Sequence, residues 1–178
     1  RVRLITEFLE NLRAFTTDEP TAFAPERLCP ILQEAIDLSR GQEAGVNIDF
    51  RIELDAPQTI EASRSRLLQA LINIIANAVK ACAGRAGDGT IMVVAQAEGD
   101  DHIRISISDN GCGMNEETVK DCLLLYSTSK KSGMGFGLPL AKRIIEIGHH
   151  GTLSLESQIG IGTTVTVILP VEQLRLED

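Results

Sequence analysis

Two hydrophobic periods alternate along the chain. Val2, Ile5, Phe8, Leu9, Leu12 and Phe15 recur at helical spacing and predict one amphipathic helix over residues 1–15, with no partner in its own neighbourhood. The turn-rich stretch TTDEPTAFAPE reads as a connector, and a second helix is expected over residues 26–39, with Pro25 near its start and Pro30 tolerable close to the first turn. VNIDFRIEL (46–54) alternates apolar and polar residues and predicts a half-buried strand. DAPQTIEAS reads as loop, with Ser63 placed to cap a long apolar helix running to about Cys82. After the glycine break GRAGDGT, period two returns in strands 90–98 and 102–109, joined across Gly99-Asp100-Asp101.

NGCGM then makes a tight loop, and Asn115 opens a short helix with Glu116 and Glu117 in its first turn, where the dipole favours anions. STSKKSGMGFG is a loop. Leu138 to Ile147 is expected to be helical, with Pro139 in the first turn and Gly148 closing it, and GTLSLESQ and TTVTVILP form a terminal hairpin across IGIG. Strands paired largely as local hairpins do not alternate one-to-one with helices. The fold class expected is therefore α+β: a two-layer sandwich, its mixed sheet of about five strands carrying helices on one face, plus an N-terminal helix stub.

Composition narrows the function. Aromatic residues make up 3% and Trp is absent, so the core must be aliphatic. A net charge of −8 argues against a general nucleic-acid or anionic-membrane binder, so a phosphate-bearing ligand would need local cations or a metal. Cys29, Cys82, Cys112 and Cys122 form no C-x-x-C pair, which favours a reduced, cytoplasmic protein over a disulfide framework or zinc site. No apolar run is expected to reach the length of a membrane span, and no signal-peptide pattern is seen. His102, His149 and His150 are expected at the surface or at strand ends. The chain opens on Arg rather than Met, so a fragment of something larger is expected.

Three stretches invite chemistry. In LLQALINIIANAVKAC one face is Leu67, Leu71, Ile74, Ile75, Ala78 and Cys82, while Asn73, Asn77 and Lys80 fall on another side at i, i+4 and i+7, with Gln69 nearby. A solvated face would read the same way but usually employs Glu, Lys and Arg, and Asn is a poor helix former. An Asn oxygen suits Mg²⁺, and a lysine one turn on suits a phosphate. In DNGCGM, Asp109 ends a strand; Asn-Gly is a common turn signal, but Gly111 and Gly113 would also let a flat ligand approach the backbone while Asp109 meets an NH₂ group such as adenine's. SGMGFGL alternates glycines before a helix, which reads as a flexible linker or as a phosphate seat with Lys130 and Lys131 upstream. GIGTT asks for nothing beyond a hairpin turn. No phosphate-loop or protein-kinase signature is present.

In order, these blocks resemble the ATP-binding domain of sensor histidine kinases, of the nitrogen-regulation type, within the wider group of gyrase, the heat-shock chaperone and mismatch-repair ATPases. NIIANAVKA resembles the N box, SDNGCGM, GMGFGLPLAKRI and GIGTTVTVILP the three glycine boxes, and LLLYSTSK the phenylalanine box, with Tyr126 where Phe is usual. The resemblance implies Asn77 as a ligand of Mg²⁺ with Asn73 beside the metal and phosphates, and Lys80 on the phosphates. It implies Asp109 on the adenine amino group, with Gly111 in that box and Gly113 and Thr163 completing the adenine floor through water. Gly133, Gly135, Gly137 and Leu138 would seat the phosphates, and Lys130 would serve a compact lid. Residues 1–19 would be the end of a dimerisation and phosphotransfer hairpin plus linker, 20–172 the catalytic domain and 173–178 a tail.

The cofactors implied are ATP and Mg²⁺. The partners implied are a response-regulator receiver domain and the chain's own dimerisation hairpin in a homodimer, with no nucleic acid and no direct membrane contact. In hydrolytic members a Glu occupies the place of Asn73; an amide cannot act as that base, so phosphoryl transfer to a histidine outside this chain is expected. A nucleotide-sensing interaction module without catalysis remains an alternative, and a slow dimeric ATPase a third.

Overall fold

A computed structural model describes residues 22–40, 48–55, 59–83, 89–123 and 137–172, with the backbone alone at 48–54. Their elements are β1 (Ala24–Arg27), α1 (Leu28–Ser39), β2 (Ile48–Asp55), β3 (Thr59–Ala62), α2 (Arg64–Ala83), β4 (Gly89–Glu98), β5 (His102–Asp109), α3 (Glu116–Cys122), α4 (Gly137–Arg143, continued by a π turn Ile144–Gly148), β6 (Thr152–Gln158) and β7 (Gly162–Pro170). The expected helix over 1–15, Tyr126, Lys130, Lys131, Gly133 and Gly135 lie outside the described residues.

The main sheet has five strands in the order β2-β4-β5-β7-β6. β2 lies parallel to β4, and every other pairing in this sheet is antiparallel, so the sheet is mixed as expected. The loop expected at 55–63 is corrected, because it contains β3, which pairs with β1 in a separate ribbon. Pro25 stands in that ribbon opposite Glu61, not at a helix start, a placement open to a residue without an N–H. The helix begins instead at Leu28, which places Pro30 in its first turn.

Alternation builds the core. Ile91, Val93 and Ala95 of β4, Ile103, Ile105 and Ile107 of β5, and Val165, Val167 and Leu169 of β7 are all buried on one sheet face. Leu67, Ala70, Leu71, Ile74, Ile75, Ala78, Val79 and Cys82 of α2 cover that face, with Leu28, Ile31, Leu32 and Ile36 of α1 and Leu140 and Ala141 of α4 in the same cluster. The opposite face is half-exposed and rich in hydroxyls, including Ser106, Ser108, Thr164 and Thr166. There Arg104 makes a two-pronged ion pair with Glu98 at 2.8 and 2.6 Å.

Two further expectations are corrected. α2 is, on length and composition alone, long and apolar enough to cross a membrane, but half of that window is buried inside the domain, where its apolar stripe is the centre of the core. His149 is not at the surface but 1% exposed. The wide π turn carries it inward, where its Nε2 accepts the backbone N–H of Ser63 at 3.2 Å and its Nδ1 lies 2.9 Å from the carbonyl of Ile144. Phe23 packs against its ring in a T-shaped arrangement, with the centroids 5.1 Å apart.

Candidate functional site

One row of the sheet breaks the apolar rule. Asp109 pairs with Thr163 in the β5–β7 register, and Thr163 pairs with Ser157 in the β6–β7 register. Alternation puts all three in phase with the buried face, continuing Ile103, Ile105 and Ile107, then Leu169, Val167 and Val165, then Leu153 and Leu155. Three polar residues therefore stand side by side where the pattern calls for aliphatics.

Local bonds hold this row. The carboxylate of Asp109 accepts the N–H of Gly111 at 2.8 Å, which closes the turn after β5. Asn110 braces the turn from below, its Oδ1 accepting from Thr90 N at 2.8 Å and from the thiol of Cys82 at 3.6 Å. The Ser157 hydroxyl lies 2.8 Å from Met114 N, 3.0 Å from Gly162 O and 2.8 Å from Thr163 Oγ1. It joins the turn after β5 to the β6–β7 hairpin, as does the bond from Gly160 N to Cys112 O at 2.8 Å.

The glycines of this turn serve the protein's own packing. A Cβ on Gly111 would lie 2.6–2.7 Å from Ala81, whose carbonyl accepts the N–H of Cys112. Gly113 has φ +64 and sits so close to the carbonyl of Gln158 that a side chain would overlap it. Contact with the end of α2 and with the hairpin thus requires glycine at both positions.

The second half of the site is the amide stripe of α2. Asn73 and Asn77 are half-buried, and Lys80 beyond them is exposed. Gly137, the first residue of α4, lies against both: a Cβ there would be 3.5 Å from Asn77 Nδ2 and 3.8 Å from Asn73 Oδ1. Asn73 Nδ2 is buried and has no hydrogen-bond partner among the described residues. An amide donor in that state costs roughly 1–3 kcal/mol unless something outside the chain accepts from it. Leu138, next to Gly137, is half-buried against the core.

The structure thus groups Asn73, Asn77 and Gly137 at one place and Asp109, Gly111, Gly113 and Thr163 at another, joined through the C-terminal turn of α2. Ser157 and Asn110 were not singled out in the sequence. The signal for Ser157 was present: in TLSLESQ it follows Leu153 and Leu155 at period two. No group of three or more His, Cys, Asp or Glu side chains able to hold a metal ion occurs among the described residues.

Residues 62–173 match the family model described as histidine kinase-, DNA gyrase B-, and HSP90-like ATPase. The signal transduction histidine-protein kinase AtoS of Escherichia coli (strain K12) is 34% identical over 94% of this chain and 27% of its own length. Sporulation kinase E of Bacillus subtilis (strain 168) is 32% identical over 96% of this chain and 22% of its own length. The chain therefore spans about a quarter of the length of these relatives. The catalytic domain of the histidine kinase ThkA superposes with a TM-score of 0.74 at 28% identity, covering 85% of this chain and 97% of that one. ThkA in complex with the response regulator protein TrrA gives 0.74 at 25% identity over 95% of this chain and 46% of that one. A family match across 62–173 on a sandwich of this topology settles kinship, and the chain belongs to the histidine kinase-, DNA gyrase B- and HSP90-like ATPase family.

Proposed function

We propose that this chain is the ATP-binding catalytic portion of a sensor histidine kinase. Its cleft would hold ATP with the base at the Asp109 row and the phosphates at Asn73, Asn77, Lys80 and Gly137. The observation that carries this reading is the buried, partnerless Nδ2 of Asn73 beside the start of α4, a donor with nothing of the protein to bond among the described residues. Asp109 would accept from the adenine amino group, with Gly113 and Thr163 acting through water. Lys130, Gly133, Gly135 and Leu138 are proposed to complete the phosphate side, and residues 1–19 to be the end of the dimerisation hairpin.

The residues present fit a magnesium ion that arrives with its nucleotide. Asn73 and Asn77 bring two neutral amide groups, and no metal-binding group of carboxylates occurs among the described residues, so Asn77 foremost and Asn73 second would hold an ion that comes with the nucleotide's phosphates. When bound, the ion neutralises charge on the triphosphate, which an acidic chain otherwise repels. Asn73 has no basic atom with which to deprotonate water. The acceptor proposed is a neutral imidazole outside this chain, whose ring nitrogen bonds to the γ-phosphorus as the bond to the β,γ-bridging oxygen breaks and ADP leaves. A response regulator receiver domain is proposed as the next acceptor, by analogy with the ThkA–TrrA complex, and the domain is proposed to work in the cytoplasm.

Titration with a non-hydrolysable ATP analogue, with and without Mg²⁺, tests the site. Asp109→Asn should weaken binding by roughly 10- to 100-fold, the worth of one hydrogen bond to a charged group. Equal affinity of the variant and the parent chain would remove Asp109 from the base pocket. Transfer of labelled phosphate to a separately supplied hairpin bearing an acceptor histidine then tests catalysis.

A further inference from the structure

We propose that Asn110 and Gly111 are a self-modifying pair, a site of spontaneous deamidation in the turn after β5 that Asp109 holds shut. Asparagine is a thermolabile residue, and glycine after it leaves the next backbone nitrogen unshielded by a Cβ. The reaction needs only water. The Gly111 nitrogen gives its proton to water or hydroxide and bonds to the side-chain carbon of Asn110. The bond from that carbon to the side-chain nitrogen breaks, and the nitrogen takes up a proton and leaves as ammonia. A second water then opens the cyclic imide on one side or the other, giving aspartate or isoaspartate.

The fold treats the two reacting groups in opposite ways. Asn110 Oδ1 accepts from Thr90 N at 2.8 Å and from the Cys82 thiol at 3.6 Å. Attack on the side-chain carbon places negative charge on that oxygen, and donors already aimed at it stabilise such charge. The electrophile is primed. The nucleophile is leashed, because the Gly111 N–H is given to Asp109 Oδ1 at 2.8 Å. Ionising an N–H that faces a carboxylate sets two negative charges against each other, which opposes loss of the proton. Attack therefore waits until the turn opens and the Asp109 bond is broken.

The two products differ in what they do to the turn. Aspartate at 110 keeps the main chain and an oxygen for Thr90. Isoaspartate routes the main chain through the side-chain carbon and so adds a methylene between residues 110 and 111. The turn has no slack for it. A Cβ on Gly111 would already lie 2.6–2.7 Å from Ala81. Cys112 is pinned on both sides, its N–H donating to Ala81 O at 3.2 Å and its carbonyl accepting from Gly160 N at 2.8 Å. The isoaspartyl chain must give up these bonds, which tie the end of α2 to the β6–β7 hairpin.

Mass spectrometry of this 178-residue chain, aged at mildly alkaline pH, reads the chemistry whether or not a nucleotide binds. Trypsin releases residues 105–120, which hold Asn110 and, as an internal reference, Asn115 followed by Glu116. Each conversion adds about one dalton, and fragmentation assigns it to one asparagine and separates aspartate from isoaspartate. In urea Asn110 should convert well ahead of Asn115. In the folded parent it should convert at least about tenfold more slowly than in urea. Asp109→Ala leaves the Asn-Gly pair intact but removes the leash, and should speed conversion in the folded chain by about tenfold. Asp109→Asn keeps an acceptor without the charge and should fall between the two. Equal rates in the folded parent and Asp109→Ala would overturn the inference, as would a folded parent that converts as fast as the unfolded chain. Should Asp109→Ala not fold, Asp109→Asn decides, and a rate equal to the parent's overturns the inference there too. The isolated isoaspartyl chain should melt below Asn110→Asp, and equal melting temperatures would overturn the claim that the turn has no slack.

Discussion

The start and the middle of α2 each bring polar atoms into an aliphatic core, and they treat them differently. At its start the imidazole of His149 is met on both sides. Nε2 accepts from Ser63 N–H, so the ring proton sits on Nδ1 and is given to the Ile144 carbonyl. About 15 Å further along the axis, Asn73 is placed with its amide nitrogen buried and unmatched among the described residues. The first cluster is closed on itself and holds the fold together. The second is left open, and on the function proposed above its partner is the phosphate side of the nucleotide.

Breaking the closed end should do the most damage to stability. His149→Ala strands Ser63 N–H and Ile144 O and opens a cavity, so the chain should lose about 2–4 kcal/mol in denaturant unfolding. A loss no greater than that of a surface substitution would mean the cluster is not a structural joint. At the open cluster in mid-helix Asn73→Leu should act with the opposite sign. It removes the unmatched donor and should raise the melting temperature of the nucleotide-free chain by a few degrees, a gain of about 1 kcal/mol, while Mg-ATP affinity falls. Lower stability together with unchanged affinity would erase the contrast between the two clusters.

The smallest expected effect is in pH. Burial is the chief cause holding the His149 pKa below its ordinary 6.5, and the charges of Arg66 and His150 press the same way, against the backbone bond to Ile144. The folded chain thus takes up the proton less readily than the unfolded one. The contribution of His149 is fully present above pH 6.5 and is lost as pH falls through the lowered folded value. Unfolding followed between pH 7.5 and 5 should show a decline that His149→Gln flattens, and an identical slope in both proteins would count against the buried neutral ring.

The parts of the fold that local pattern controls were legible in advance. The α2 stripe, the hairpins β4–β5 and β6–β7, and the Asn115 cap, whose side chain accepts from Thr118 N, all follow from periods of 3.6 and 2 and from capping chemistry. The β1–β3 ribbon was not legible, because strands of four residues carry too few positions to show a period and exist only by pairing with each other. His149 was misplaced for a related reason. Its partner Ser63 is 86 residues away along the chain, and nothing in HHG signals it. In the site, Asn73 and Asn77 stood out as poor helix formers on a face of their own, and Asp109 as an acid ending a strand before two glycines. Ser157 continues the period of Leu153 and Leu155 but is small and common in strands, so it passed unnoticed.

The pairing of Asp109 with Thr163 joins β5 to the last strand of the sheet. A chain still emerging from the ribosome would complete the helix bearing Asn73 and Asn77, and the strand bearing Asp109, long before residue 163 is made. With the base at this row, as proposed above, translation stopped before β7 would yield a product unable to recognise it, and nucleotide responsiveness would itself report a finished domain.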